Sequence, residues 1–322
     1  MKDTNYTYAV SYIKTLENKM LSKNDIDALL SLQTAEEGLK FLLGKGYGVK
    51  DENNSDYNEL LKKEYKKIWN EVINVCPKEE IFKILLYKND FHNLKTILKA
   101  KISKVDWENI ILEPCILDLK ILSDSIKLAD FNNLPDFIKE PAKEAYEILI
   151  KTNDAQIMEI FLDKVSLIKM REKSVEGKNE FLVGWADLNI LIANMKTAAR
   201  TVGRAKSFIE ESMINTPSSN AKGLALASQK SEEAVINEIF RMGYPDGAGC
   251  LVDSFFGFEK WCDNLRIKYI KNAKNKSFGI EPIFAFLIAK ELEIGMIRII
   301  MSGKQNGVDE KAIEERLRDM YV

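Results

Sequence analysis

The 322-residue sequence is poor in the residues that most chemistry needs. It has one histidine, His92, and four cysteines, Cys76, Cys115, Cys250 and Cys262, with no CxxC pair among them. A zinc site of ordinary Cys/His spacing therefore cannot be assembled, and scattered thiols of this kind are expected to be reduced and to fill core positions. Seven prolines and 16 glycines are too few for a many-turned β architecture and favour long helices. Neither sign of charge dominates. With 47 Lys and Arg against 49 Asp and Glu the net charge is −2, so no global field draws the chain to nucleic acid or anionic lipid. Long apolar runs are missing too: Pro282 to Ala289 falls far short of the ~20 residues that span a bilayer. The first residues, MKDTNYTYAV, lack the apolar stretch of a signal peptide, which predicts a chain that stays on the cytoplasmic side. No GxxxxGK[ST], HExxH, GxSxG or properly placed GxGxxG motif occurs. These gaps argue against catalysis, a cofactor, a metal site, a nucleic-acid partner or a small-molecule substrate.

What is present is helical periodicity from end to end. Ala9, Ile13, Leu16 and Met20 step by four, three and four. Asn24 or Asp25 is placed to cap a second helix, and Thr34-Ala-Glu-Glu37 is a capping box for a third, which the Gly44-Lys-Gly46-Tyr-Gly48 segment stops. Asp51 to Asp56 reads as a loop, Tyr57 to Val75 as a long amphipathic helix, and Pro77 suits the first turn of the next. Leu134 to Thr152, with Pro141 in its first turn, Ala155 to Lys173 and Phe258 to Ala273 follow the same pattern. The helix opened by Ser231 is expected to end at Gly243 to Gly247, and EKAIEERLRD, Glu310 to Asp319, to form a self-supporting exposed helix. The expected fold class is all-α.

The chain is organised around the dodecapeptide DFHNLKTILKAK, Asp90 to Lys101. A near-copy, EIGMIRIIMSGK, begins at Glu293, and a weaker one, DLNILIANMKTA, at Asp187. In this register Phe91, Leu94 and Leu98 fall opposite Leu188, Leu191 and Met195, and opposite Ile294, Ile297 and Met301. Each triplet lies on one helical face. Anchors 97 and 106 residues apart mark a repeat of whole domains rather than of solenoid turns. They predict three similar helical domains, 1–105, 106–204 and 205–322.

Candidate functional residues follow from the repeat. Asp90, Asp187 and Glu293 open the three copies, either as capping support at equivalent helix contacts or as a ring of carboxylates facing a partner. Asn93 and the basic residues that trail each anchor, Lys95 and Lys99, Lys196, Arg298 and Lys304, are candidates for meeting an acidic partner. A solvated helix face would carry the same charges. His92 has Asn189 and Gly295 as its counterparts, so nothing in the pattern demands an imidazole.

The phrases SFGIEPIFAFLIAKELEI and IRIIMSGK, the terminal RLRDMYV, the GYG at Gly46 to Gly48 and KNDFHNLKTILKAK together resemble the C subunit of the V/A-type rotary ATPases, whose vacuolar counterpart is the d subunit. The resemblance spans the chain and is weakest in the middle third. It implies a funnel of three helical domains about a pseudo-threefold axis, lying peripherally on the cytoplasmic face of the membrane. It implies a non-catalytic rotor component in the central stalk, without cofactor, that couples the D and F shaft subunits to the membrane ring of proteolipid subunits and transmits torque. The stator membrane subunit is a further candidate partner. The competing expectation is a free helical scaffold for cytosolic proteins.

Overall fold

The computed structural model describes residues 4–48, 56–103, 105–216 and 219–322. Residues 51–55 of the expected loop lie outside that set. Among the described residues there is no β-strand, and the regular structure is helical. In chain order the helices are α1 (Thr7–Glu17), α2 (Lys23–Ser31), α3 (Ala35–Gly44), α4 (Tyr57–Asn74), α5 (Tyr87–Ser103), α6 (Leu119–Leu128), α7 (Asp136–Thr152) and α8 (Ala155–Glu176). They continue as α9 (Glu180–Arg200), α10 (Lys206–Ser212), α11 (Ala221–Ser228), α12 (Glu232–Arg241), α13 (Pro245–Asp253), α14 (Phe255–Lys274), α15 (Glu281–Gln305) and α16 (Glu310–Glu314). The contacts divide the chain into two compact units, one formed by Met1–Glu79 with Phe256–Val322 and the other by Glu80–Phe255.

In the unit that holds both termini, α15 is the centre. Its first turns, Pro282 to Ala289, are buried on every side, as a helix apolar all round must be. Helices α1, α3 and α4 pack on it, contributing Ile13, Leu42, Leu60 and Leu61 to the core. In the other unit α5 and α9 both pack against α8. Phe91, Leu94 and Leu98 of α5 share a core with Leu122 and Ile126 of α6, Ile138 and Leu149 of α7, and Met158 and Leu162 of α8.

Several helix ends follow the sequence. Thr34 and Glu37 form the expected capping box. Helix α3 ends in a Schellman motif, with Tyr47 N–H donating to the Leu42 carbonyl at 3.1 Å and Gly46 N–H to Leu43 at 3.0 Å. Others depart from it. The cap of α2 is Ser22, whose hydroxyl accepts from Asp25 N–H while the Asp25 carboxylate accepts from Ser22 N–H. Asp25 is thus the third residue of a capping box, and its carboxyl is held down at about 2, first by the hydrogen bond from Lys45. Pro77 lies in a turn that a 3₁₀ segment, Phe82–Leu86, follows. Pro141 sits inside α7, because Pro135 marks the helix start and holds the chain extended until Asp136. Gly247 is buried within α13, which Pro245 opens. The last helix stops at Glu314, since Arg318 turns back to Asp263 of α14 at 3.0 Å and Asp319 N–H to Asn264 at 2.9 Å.

Candidate functional site

The dodecapeptide and its copies are the central helices α5, α9 and α15, and their polar side chains fasten short helices to them. Asp90 is fully buried, and its Oδ1 accepts from Ile116 N–H and Leu117 N–H, both at 2.9 Å, just ahead of Asp118, the cap of α6. Eleven residues on, Lys101 Nζ donates to the Ile126 carbonyl near the other end of α6 at 2.7 Å. Glu293 repeats the first contact, its Oε2 accepting from Leu21 N–H at 2.8 Å, just ahead of Ser22, the cap of α2. Lys304 repeats the second, donating to Leu30 O at the end of α2 at 2.7 Å and to Leu32 O. Helix α2 is therefore to α15 what α6 is to α5.

The middle copy is fixed by another pair. Asn93 accepts from Leu112 N–H at 2.9 Å and donates to Leu112 O at 3.0 Å. Asn194 makes the same two bonds with Ile214, at 2.9 and 2.8 Å. The clamped residue lies six positions before the next helix cap, Asp118 in one case and Asn220 in the other. Asn194, not Ile190, is thus the counterpart of Asn93, and the middle anchor moves one turn along to Leu191. The acidic residue sought in the sequence, Asp187, instead pairs with Arg171 of α8 at 2.5 Å. A slip of one turn keeps apolar residues roughly in phase, which is why the apolar pattern tolerated it. In the corrected register Lys95, Lys196 and Arg298 fall together, as do Lys99, Arg200 and Ser302, whereas the sequence spacing had set Lys196 opposite Lys99.

The candidates therefore separate by burial. Asp90, Asn93 and Glu293 are buried and bonded within the fold. Lys95 and Lys99 reach across to Asp163 and Glu159 of α8, at 2.5 and 2.6 Å. Lys304 is engaged at the end of α2, and burial pushes its ammonium below the usual lysine range. Lys196 lies half-buried on α9, while Arg298 is exposed on α15 with no side-chain partner among the described residues. His92 has Nε2 3.2 Å from the Ile110 carbonyl, an inter-segment contact.

One polar cluster went unanticipated. Lys290 is 3% exposed, and its Nζ lies 2.8 Å from Glu293 Oε1, 3.3 Å from Glu64 Oε1 and 3.1 Å from the Tyr47 hydroxyl. Tyr47 donates to Glu293 at 2.5 Å, and Glu64 Oε2 accepts from Gly48 N–H at 3.0 Å and pairs with Lys67 at 2.5 Å. Two carboxylates meet two ammonium groups, so the buried charge is balanced, as its desolvation requires. Burial, followed by the charge of Glu293, pushes the Tyr47 phenol far above its ordinary range. The GYG turn serves this cluster: Gly46 and Gly48 have φ of +84° and +81°, conformations that favour glycine, and they deliver Tyr47 inward. The sequence signal was Lys290 and Glu293, one turn apart, following the apolar run Pro282 to Ala289.

Two of the surface grooves among the described residues are lined with cations. One, of ≈ 450 Å³, is bounded by α15 and α16 and includes Arg298, Arg316 and Arg318. The other, of ≈ 300 Å³, lies along α8 and α9 and includes Lys164, Arg200 and Arg204. No group of three His, Cys, Asp or Glu side chains among the described residues could hold a metal ion, and no helix among them is long and apolar enough to cross a membrane.

Residues 9–316 match the family profile described as ATP synthase (C/AC39) subunit. The C subunit of the V-type sodium ATPase of Enterococcus hirae is 24% identical, with 96% of this chain and 97% of that protein covered. The C subunit of the A-type ATP synthase of Methanosarcina acetivorans is 23% identical over 98% of this chain and 93% of its own length. That of Methanocaldococcus jannaschii is 22% identical over 97% and 86%.

Proposed function

Because the chain belongs to the ATP synthase (C/AC39) subunit family, we propose that it is a non-catalytic central-stalk subunit of a V/A-type rotary ATPase. In this role it couples the D and F shaft subunits to the membrane ring of proteolipid subunits and passes torque between them during ATP-linked ion transport. The observation that carries the reading is the span of the likeness, which runs from residue 9 to residue 316 and covers most of each relative's length. The three helical segments 1–105, 106–204 and 205–322, arranged as a funnel about a pseudo-threefold axis, belong to the same proposal, as does a peripheral position on the cytoplasmic face. The helical body suits the task, since close-packed interiors are stiff and transmit strain.

The test is assembly. The purified chain is expected to show no ATPase activity alone, to co-purify with a D–F complex, and to bind detergent-solubilised membrane ring. Binding to neither would overturn the proposal.

A further inference from the structure

The same groove occurs twice. Along α15 it is lined by Gly295, Ile299, Ser302, Gly303 and Asn306, and along α9 by Ala193, Thr197, Arg200, Thr201 and Arg204. In the register set by the backbone clamps, Leu191 with Glu293, five lining positions coincide: Ala193 with Gly295, Thr197 with Ile299, Arg200 with Ser302, Thr201 with Gly303 and Arg204 with Asn306, while Arg298 and Asn194 each line one groove only. The clamp residues Asn194 and Ile214 also line the α9 groove, so clamp and groove belong to one repeated arrangement. Along α15 the eleven-residue span gives a length of about 16 Å, three turns; in the other groove the helix ends at Arg200 and the turn that follows it carries Thr201 and Arg204.

Both grooves are cationic in a chain whose net charge is −2. The α15 groove has three arginines and no acidic residue in its lining. Arg318 is held by Asp263 and Arg316 lies over the Phe256 ring, its guanidinium 6.0 Å from the ring centre, whereas Arg298 has no side-chain partner among the described residues. The α9 groove has Lys164, Arg200 and Arg204 against one acid, Asp163, already 2.5 Å from Lys95. Arg204 likewise has no side-chain partner among the described residues. Apolar surface separates the cations, from Ile299 and Ile313 in one groove and Ile160 and Phe208 in the other.

The chain itself shows what such a face accepts. On α5 the cations Lys95 and Lys99 are met by Asp163 and Glu159, two carboxylates four residues apart on a packed helix. Cations spread over three turns with apolar surface between them suit an amphipathic acidic helix better than a single phosphate, which needs its donors to converge on one point.

We propose that the α9 and α15 grooves are each docking sites for an acidic α-helical segment of a neighbouring protein, bearing carboxylates one turn apart. The identity of the neighbour rests on the reading of the chain as part of a rotary ATPase; the chemistry of docking does not.

The probe is a blocked, fluorescent alanine-based helix of about 18 residues with glutamates at i, i+4, i+7 and i+11, titrated into the full chain at low salt. Two sites are expected on the native chain, one on Arg298→Glu and one on Arg204→Glu. The double variant should bind at least about tenfold more weakly, while Lys151→Glu, an exposed cation outside both grooves, changes nothing. Both groove side chains lack partners, so melting curves should be unaltered. Unchanged stoichiometry in the variants, or displacement of the peptide by inorganic phosphate or phosphatidylglycerol vesicles, overturns the proposal and makes the grooves general anion sites. Assembly with D–F and the ring is measured in parallel. A native chain that binds the peptide but no rotary subunit sinks the functional reading alone. One that assembles while peptide binding ignores the groove arginines sinks the docking proposal alone.

Discussion

The buried Asp90 makes the stability of its unit depend on pH in an unusual direction. Its carboxyl is pushed up to about 7 from an ordinary 3.8, because burial disfavours the charge more than the Leu117 and Ile116 amides favour it. The second oxygen, Oδ2, is buried without a hydrogen-bond partner among the described residues. Since the folded state holds its proton more tightly than the unfolded chain, the neutral carboxyl contributes fully below pH ~3.8, and that contribution is lost as pH rises through about 7. Between pH 5 and 8 the loss amounts to about 2–3 kcal/mol, an upper figure that relaxation would reduce. Asp90→Asn removes the titration while keeping an oxygen to accept the two amides. Hydrogen exchange of peptides covering α5 and α6, compared between native chain and variant, isolates the effect from every other titrating group. The ratio of native to variant protection should fall by up to about a hundredfold from pH 5 to pH 8. A ratio that stays constant refutes the argument.

Three further outcomes follow from the same geometry. Lys290→Met leaves Glu64 and Glu293 without their shared cation and should cost about 3–5 kcal/mol in denaturant unfolding, with Glu293→Gln in the same chain recovering part of it. Gly46→Ala and Gly44→Ala both place a Cβ with nothing within 4 Å, so only backbone conformation separates them: the first, at φ +84°, should destabilise by about 1–2 kcal/mol and the second, in a helix, should stabilise by up to ~1 kcal/mol in thermal melts. Asn93→Ala and Asn194→Ala should each cost about 1–3 kcal/mol and expose α6 and α11, respectively, to faster hydrogen exchange, because each strands a buried backbone pair; a loss at one position only would deny that the clamps are equivalent.

What the sequence made legible was whatever depends on local pattern. The all-helical class, the capping box at Thr34 and the long helices α4, α8 and α14 rest on neighbours a few residues apart, and the relation between Asp90 and Glu293 rests on two such local patterns being alike. The candidate residues were harder. Acidic and basic positions were chosen because they recurred, and recurrence turned out to mark structure as readily as surface: Asp90 and Glu293 recur because each anchors a short helix from beneath. The middle register failed for a related reason, since acidity was the criterion and the middle copy has Leu191 where the outer copies have a carboxylate, keeping only the amide clamp of Asn194. Arg316 and Arg318 were read as the exposed face of a helix, and only the turn back to Asp263 and Phe256 brings them beside Arg298.

Helix α2 shows the limit most plainly. It precedes the first central helix in the chain, yet Glu293 and Lys304 of the third central helix hold its two ends. The matching helix α6 is held by Asp90 and Lys101 of the central helix that comes just before it. The third copy therefore finds its short helix at the opposite end of the polypeptide, and the unit that contains it needs both termini. Such closure leaves no periodic trace, because the contact spans more than 270 residues. It also has a physical consequence, since the two chain ends are ordered by each other, through Leu21 against Glu293 and Glu17 against the Tyr321 hydroxyl. Removing α1 and α2 should strip the terminal unit of Leu16, Leu21, Leu29 and Leu30 together, all of them buried, so an N-terminal truncation should unfold that unit rather than merely shorten it; a truncated chain that keeps the native melting transition would refute this.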